Sequence, residues 1–274
     1  QTKKRSYYAD LALRNHFTQL HQISSVNSTV LQKSIWPQNH NKAFKYKQEQ
    51  QQPHLFYIPE ITAKPFWPAQ ELKGFSALES AFDVICKEFS MLEGLTENLG
   101  VPYLGEQYKS QGFEKLAGNS NWTALHLFQD GVENVVVTKH LPKTTKVLKK
   151  LPLYCLNENP YEVFFSVLKP QQHIAPHFGL SNHSLTVHLP IKVPGEGYIT
   201  VADERRQWQE GEAIVFDDSF KHEAVNKSDH DRVVLIFSIW HPELDDTAQL
   251  ELRNSFTAKE QWLEQRKTYL DSTT

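Results

Sequence analysis

The sequence predicts a mainly β fold with flanking helices, a sandwich or barrel of the jelly-roll kind. Three observations carry that reading. After Tyr161 the chain breaks into short runs of β-branched and aromatic residues, turn residues separate those runs, and helical spacing is confined to the stretches on either side.

Residues 1–60 are rich in Gln, Asn, Lys and Ser and read as a helical or polar appendage. Leu11, Leu13, Phe17, Leu20 and Ile23 recur at helical spacing, so an amphipathic helix is expected over Tyr8–Ile23. Four prolines among aromatics in Pro53–Pro68 predict an extended, docked entry into the main domain, residues 61–250. The stretch ALESAFDVICKEFSML predicts a helix over Ala77–Leu92, a loop-rich stretch follows, and a second helix is expected over Thr144–Leu151.

The expected strands are YEVFFSVLK, SLTVHLPIK, GYITVAD, EAIVF and RVVLIFSIW, parted by Pro170, Gly179, Pro194–Gly197, Glu210-Gly211 and Asn226–Asp231. A helical tail over residues 251–274 is expected to start from a capping box of Thr257 and Glu260.

With 39% hydrophobic and 22% charged residues among 274, the composition is that of an ordinary globular protein. A net charge of −3 with no run of like charges gives no reason to expect nucleic acid. No apolar stretch approaches the roughly 18–20 residues of a membrane span. The first residues are basic but lack a signal peptide's apolar core, and the chain opens on Gln1, compatible with an earlier segment having been removed. Cys86 and Cys155 are too few for a disulfide framework and are read as buried thiols; a cytoplasmic setting is the corresponding expectation.

Of thirteen histidines, four fall in HIAPHFGLSNHSLTVHLP (His173–Pro190), and another lies in FDDSFKHEAVN (Phe216–Asn226). Neutral imidazole suits Fe(II), and two strands far apart in sequence can meet across a small barrel, so His177 and His222 are the candidate metal pair. Alone such a pair says little, because a His in a strand protein is more often a hydrogen-bonded structural residue. Arg232, at the head of its strand, has the planar guanidinium that grips a carboxylate at two points; the competing reading is an exposed salt bridge. Strand alternation puts Ser184, Thr186 and His188 on one face.

SVLKPQQHIAPHFGLSN, LTVHLPI, RQWQEGEAIVFDDSFKHEAVN and RVVLIFSIWHPEL, in that order, resemble the aspartyl/asparaginyl β-hydroxylase family. Weaker likeness reaches NWTALHLFQDG and KPFWPAQELKGF, so residues 64–245 are covered. The resemblance implies a double-stranded β-helix, cupin-like, dependent on Fe(II) and 2-oxoglutarate with O₂. It implies His177 and His222 as the iron ligands, with Gly179 where related oxygenases have a carboxylate, and a structural place for Asp217 and Asp218. It pairs Ser166 with Arg232 at the distal carboxylate of 2-oxoglutarate and sets His188 at the carboxylate nearer the metal. Trp122, Phe128 and Asn182 become candidates for the substrate side.

Two departures stand out: Thr186 where the family commonly has Arg, and Phe128 where better-known members have Trp. The implied reaction hydroxylates an unactivated carbon, the β-carbon of an Asp or Asn residue in a peptide or protein. Alternatives are a free amino acid or lipid acyl chain as substrate, halogenation with chloride beside Gly179, a cupin-like metal protein without oxygen chemistry, and a non-catalytic binding module. His173 and His183 are read as surface groups or supports behind the site, His241 as fixing the chain after the last strand, and Trp208, Phe237 and Trp240 as core.

Overall fold

The computed structural model describes residues 31, 34–37, 45–92, 100–105 and 116–272. Two antiparallel sheets face each other. The larger has eight strands: β1 (Phe66–Trp67), β2 (Val101–Pro102), β3 (Trp122–Gln129), β4 (Val132–Glu133), β5 (Glu162–Leu168), β7 (Ser184–Lys192), β10 (Ile214–Phe216) and β12 (Arg232–Trp240). Their order is β1-β10-β7-β12-β5-β3-β2, with β4 paired to β3. The smaller sheet runs β6-β11-β8-β9, from β6 (Gln172–His177), β8 (Gly197–Val201), β9 (Glu204–Gln207) and β11 (His222–Asn226). This is the expected jelly roll.

Strand alternation divides the larger sheet into two faces. Leu125, Val163, Phe165, Val187, Leu189, Leu235 and Phe237 turn outward and bury against α1 (Phe75–Ser80), α2 (Phe82–Ser90), α3 (Val135–Thr138) and α4 (Pro142–Leu148). Ala124, Phe164, Val234 and Ile236 form an apolar patch on the opposite face, which turns towards the smaller sheet. Ile174, Ile199, Val201, Trp208, Phe216 and Phe220 belong to a second apolar cluster.

The helix expected over Ala77–Leu92 is two helices, broken at Ala81 (φ −92°, ψ 4°). The second expected helix, α4, starts at Pro142, two residues earlier than expected. Proline suits a first turn, and the buried Glu88 carboxylate accepts from the Lys143 and Thr144 amides at 2.9 and 2.8 Å. The last helix, α5 (Asp246–Ser272), begins before the predicted tail, because Asp245 Oδ1 accepts from the Ala248 amide at 2.8 Å and caps it there. Thr257 is therefore mid-helix, and the expected capping box is not formed.

The proline-rich entry is extended and docked, as expected, and it reaches back into residues assigned to the appendage: Phe56 and Ile58 are fully buried against Tyr154, Trp240, Leu252 and Phe256. The helix expected over Tyr8–Ile23 lies outside the described residues. Among the described residues no helix is long and apolar enough to cross a membrane.

Candidate active site

His222 and His177 are register partners on β11 and β6, with ring centroids 4.1 Å apart. Both rings are anchored alike: Nδ1 of His177 lies 2.9 Å from the Ala175 carbonyl, and Nδ1 of His222 lies 2.8 Å from that of Phe220. A carbonyl can only accept, so each Nδ1 carries the proton and each Nε2 keeps its lone pair. Burial pulls both rings below the usual imidazole range, and their mutual repulsion adds to this at His222. Two neutral imidazoles with free Nε2 atoms, oriented by backbone carbonyls, form a donor set fit to hold a metal ion. Among the described residues no group of three His, Cys, Asp or Glu is arranged to do so, so the pair is what these residues offer.

Arg232 is 1% exposed and lies with its guanidinium 4.8 Å over the Trp208 ring. Neither Nε nor Nη1 has a hydrogen-bond partner, and burial lowers its pKa to about 9. The expected alternative, an exposed salt bridge, is absent. Ser166 neighbours it across the β12–β5 ladder and accepts from Trp122 Nε1 at 3.1 Å, leaving its own hydroxyl proton to donate. His188 accepts from Trp208 Nε1 at 3.3 Å through Nδ1. Burial and the nearby Arg232 hold His188 well below its ordinary pKa. These three groups share a cavity of about 610 Å³ with the histidine pair.

Asp218 reaches the same cavity, its pKa raised to about 6 by burial, and accepts from Thr186 Oγ1 at 3.1 Å. Its carboxylate fills the space beside Gly179, where an added Cβ would lie 2.5 Å from Asp218 Cγ. Glycine is thus required at 179 by the neighbouring carboxylate and not by its backbone. Gly179→Ala should displace Asp218 and, through the His177 strand end, lower divalent-metal affinity about tenfold with the fold retained. Anaerobic metal titration measures this, and an unchanged affinity would show that Asp218 yields freely. Asp217 points away from the cavity to Ser219 and Gln51.

Two substrate-side expectations are corrected. Phe128 is in the core against the helices, because a β-bulge between His126 and Phe128 sends Leu127 and Phe128 to the same side. Asn182 is 1% exposed and pinned to Ile58, whose amide and carbonyl it bonds at 2.8 and 2.9 Å, so it ties down the entry segment. Trp122 does line the cavity.

His183 is no surface group but is enclosed by Phe56, Tyr154, Trp240 and Phe256, whereas His173 is exposed and pairs with Glu223 at 2.8 Å. His241 bonds the Thr62 carbonyl at 3.1 Å and, as expected, fixes the chain beyond β12. Sequence reading missed Glu162, His126 and Tyr103, which line the cavity's far side. The only available signal was alternation along β5, which gives Glu162 the same face as Ser166.

The profile of a family described as Aspartyl/Asparaginyl beta-hydroxylase matches residues 79–242. The chain is 30% identical over 191 residues to the aspartyl/asparaginyl beta-hydroxylase of Homo sapiens, an overlap of 69% of this chain and 24% of that protein. It is 28% identical over 199 residues to aspartate beta-hydroxylase domain-containing protein 2 of Xenopus tropicalis (71% and 52%). It is 31% identical over 136 residues to an ornithine lipid ester-linked acyl 2-hydroxylase of Rhizobium tropici (48% and 46%). The overlap is thus about a quarter to a half of these relatives' lengths. A solved cupin 2 barrel protein from Salinispora arenicola overlays half of this chain and 86% of its own, at 14% identity and a TM-score of 0.30.

Proposed function

This chain belongs to the aspartyl/asparaginyl β-hydroxylase family, and we propose that it is an Fe(II)- and 2-oxoglutarate-dependent hydroxylase of an unactivated carbon. The observation that carries the reading is Arg232, a buried cation with unpartnered nitrogens in the cavity that holds two metal-competent imidazoles. An unpaired buried charge is costly, and a dianionic co-substrate would relieve that cost.

His177 and His222 would hold the iron, which when bound supplies with O₂ the oxidising chemistry that side chains lack. Arg232 and the Ser166 hydroxyl would bind the distal carboxylate of 2-oxoglutarate, and neutral His188 would meet the carboxylate nearer the metal. Trp122 fixes Ser166 through its indole N–H, and Trp208 fixes His188 in the same way. Phe164, Val234 and Ile236 keep the intervening floor apolar and exclude water.

The family name points to the β-carbon of Asp or Asn in a peptide or protein as the target, and one relative is named for a lipid acyl chain. Halogenation would set chloride beside Gly179, where the Asp218 carboxylate already lies. Anaerobic 2-oxoglutarate added to Fe(II)-loaded protein should give a visible charge-transfer absorption, and turnover in air should release succinate. Folded, iron-loaded protein that gave neither would overturn the proposal.

A further inference from the structure

The cavity's two ends differ in charge. Glu162, Phe164 and Ser166 alternate along the inward face of β5, which places Glu162 about 13 Å from Ser166 at ~3.3 Å per residue. Around Ser166 lies Arg232, the one Lys or Arg among the described residues lining the cavity. The other carboxylates that act on Glu162 are those of Asp130 and Asp218, and its imidazole neighbour among the described residues is the buried His126.

Glu162 itself lacks a partner that would match its charge. Tyr103 donates to Oε2 at a long 3.3 Å, and His126 Nδ1 is 3.9 Å from Oε1, beyond hydrogen-bond reach. His126 is 7% exposed, neither of its ring nitrogens has a hydrogen-bond partner, and burial keeps it neutral near pH 7. About a quarter of the Glu162 side chain remains open to the cavity. Beside it, Tyr103 stacks on Phe164 with centroids 4.8 Å apart, and Trp122 lies 4.6 Å from Tyr103, between Glu162 and the histidine pair. A carboxylate, an unsatisfied imidazole and an aromatic wall form a receptor for a cation.

We infer that this end seats a basic nitrogen of the substrate, a primary amine or guanidinium on an aliphatic chain, against Glu162. The inference rests on the proposed function, because that reading commits Arg232 to the co-substrate and leaves the acidic end to the substrate. An acidic substrate group here would meet like charge. Burial lifts the Glu162 carboxyl to about 7 in the empty cavity, and a cationic partner would bring it down again.

The test compares three probes on the full chain with anaerobic Fe(II) and 2-oxoglutarate: the Nα-acetyl amides of lysine, norleucine and glutamate. Ligand-observed NMR should rank lysine about tenfold tighter than norleucine, the scale of one charged hydrogen bond, with glutamate weakest. Glu162→Gln should erase the gap between lysine and norleucine.

Norleucine or glutamate binding as well as lysine, no lysine binding at millimolar concentration, or a gap that survives Glu162→Gln would each overturn the inference. The wild-type ranking decides even if the variant fails to fold. Titration with 2-oxoglutarate in the same sample separates the two readings. Loss of that binding with the lysine preference intact would sink the co-substrate assignment alone.

Discussion

Arg232→Met is expected to stabilise the apoprotein while removing 2-oxoglutarate binding, two effects of opposite sign from one substitution. The guanidinium is almost fully buried, has no carboxylate beside it, and leaves Nε and Nη1 unbonded. Its compensation is the Trp208 ring at 4.8 Å, and cation–π contacts of this kind contribute about 0.5–2 kcal/mol. Isolated buried cations cost several kcal/mol, and replacing buried charges with apolar residues of similar volume is often stabilising by about 1–4 kcal/mol.

Methionine fills a similar volume and can pack on Trp208, so the ligand-free variant should melt roughly 2–6 °C above wild type. Adding 2-oxoglutarate should reverse the order, because it stabilises only a protein that binds it. Losing one partner of a buried, hydrogen-bonded charge pair costs about 2–5 kcal/mol, which weakens binding by about 30-fold to several thousandfold. Thermal unfolding with and without 2-oxoglutarate measures both. A variant less stable than wild type that still binds would mean that Arg232 is a structural cation.

Much of this was legible in the sequence, and the divisions have physical reasons. SLTVHLPIK and RVVLIFSIW are apolar, β-branched and bounded by turns, and both form strands with the expected limits, Ser184–Lys192 and Arg232–Trp240. Strands β6 and β9 escaped notice because QHIAPH contains a proline and two histidines and ERRQ is polar throughout, as an edge strand can be. WTALHLFQ was passed over in a loop-rich stretch. Its bulge breaks the alternation that would mark a half-buried strand, and it also turns Phe128, which the family resemblance had put on the substrate side, into the core.

At the site, residue types pointed to His177, His222 and Arg232, the family resemblance added Ser166 and His188, and all five line one cavity. Their surroundings could not be read in the same way. Whether Arg232 is buried or exposed, whether Asn182 faces the cavity or Ile58, and whether Asp218 fills the place beside Gly179 depend on loops packing across the barrel. No local pattern encodes those contacts. Glu162 was missed because an acidic residue at a strand's first position usually faces solvent.

The iron half of the site should fail independently of the Arg232 half. His222→Ala is expected to lower Fe(II) affinity by about two orders of magnitude or more, since outer partners of a ligand alone are worth 10–100-fold. The described residues have little to substitute. Asp218 forms no three-residue metal group with the histidines, its carboxylate is taken by Thr186, and the third imidazole, His188, uses Nδ1 for Trp208. His177→Ala should match it, because the two rings hold equivalent positions with equivalent carbonyl anchors.

Neither histidine variant touches the Ser166–Arg232 end, so thermal stabilisation by 2-oxoglutarate without metal should survive in both. Arg232→Met should do the opposite and keep Fe(II) binding while losing that stabilisation. Anaerobic Fe(II) titration and 2-oxoglutarate melting curves on the three variants give a crossed pattern if the cavity holds two separate subsites. If His222→Ala bound Fe(II) as tightly as wild type, the imidazole pair would be a structural feature of the β6–β11 ladder, and the hydroxylase reading would lose its metal.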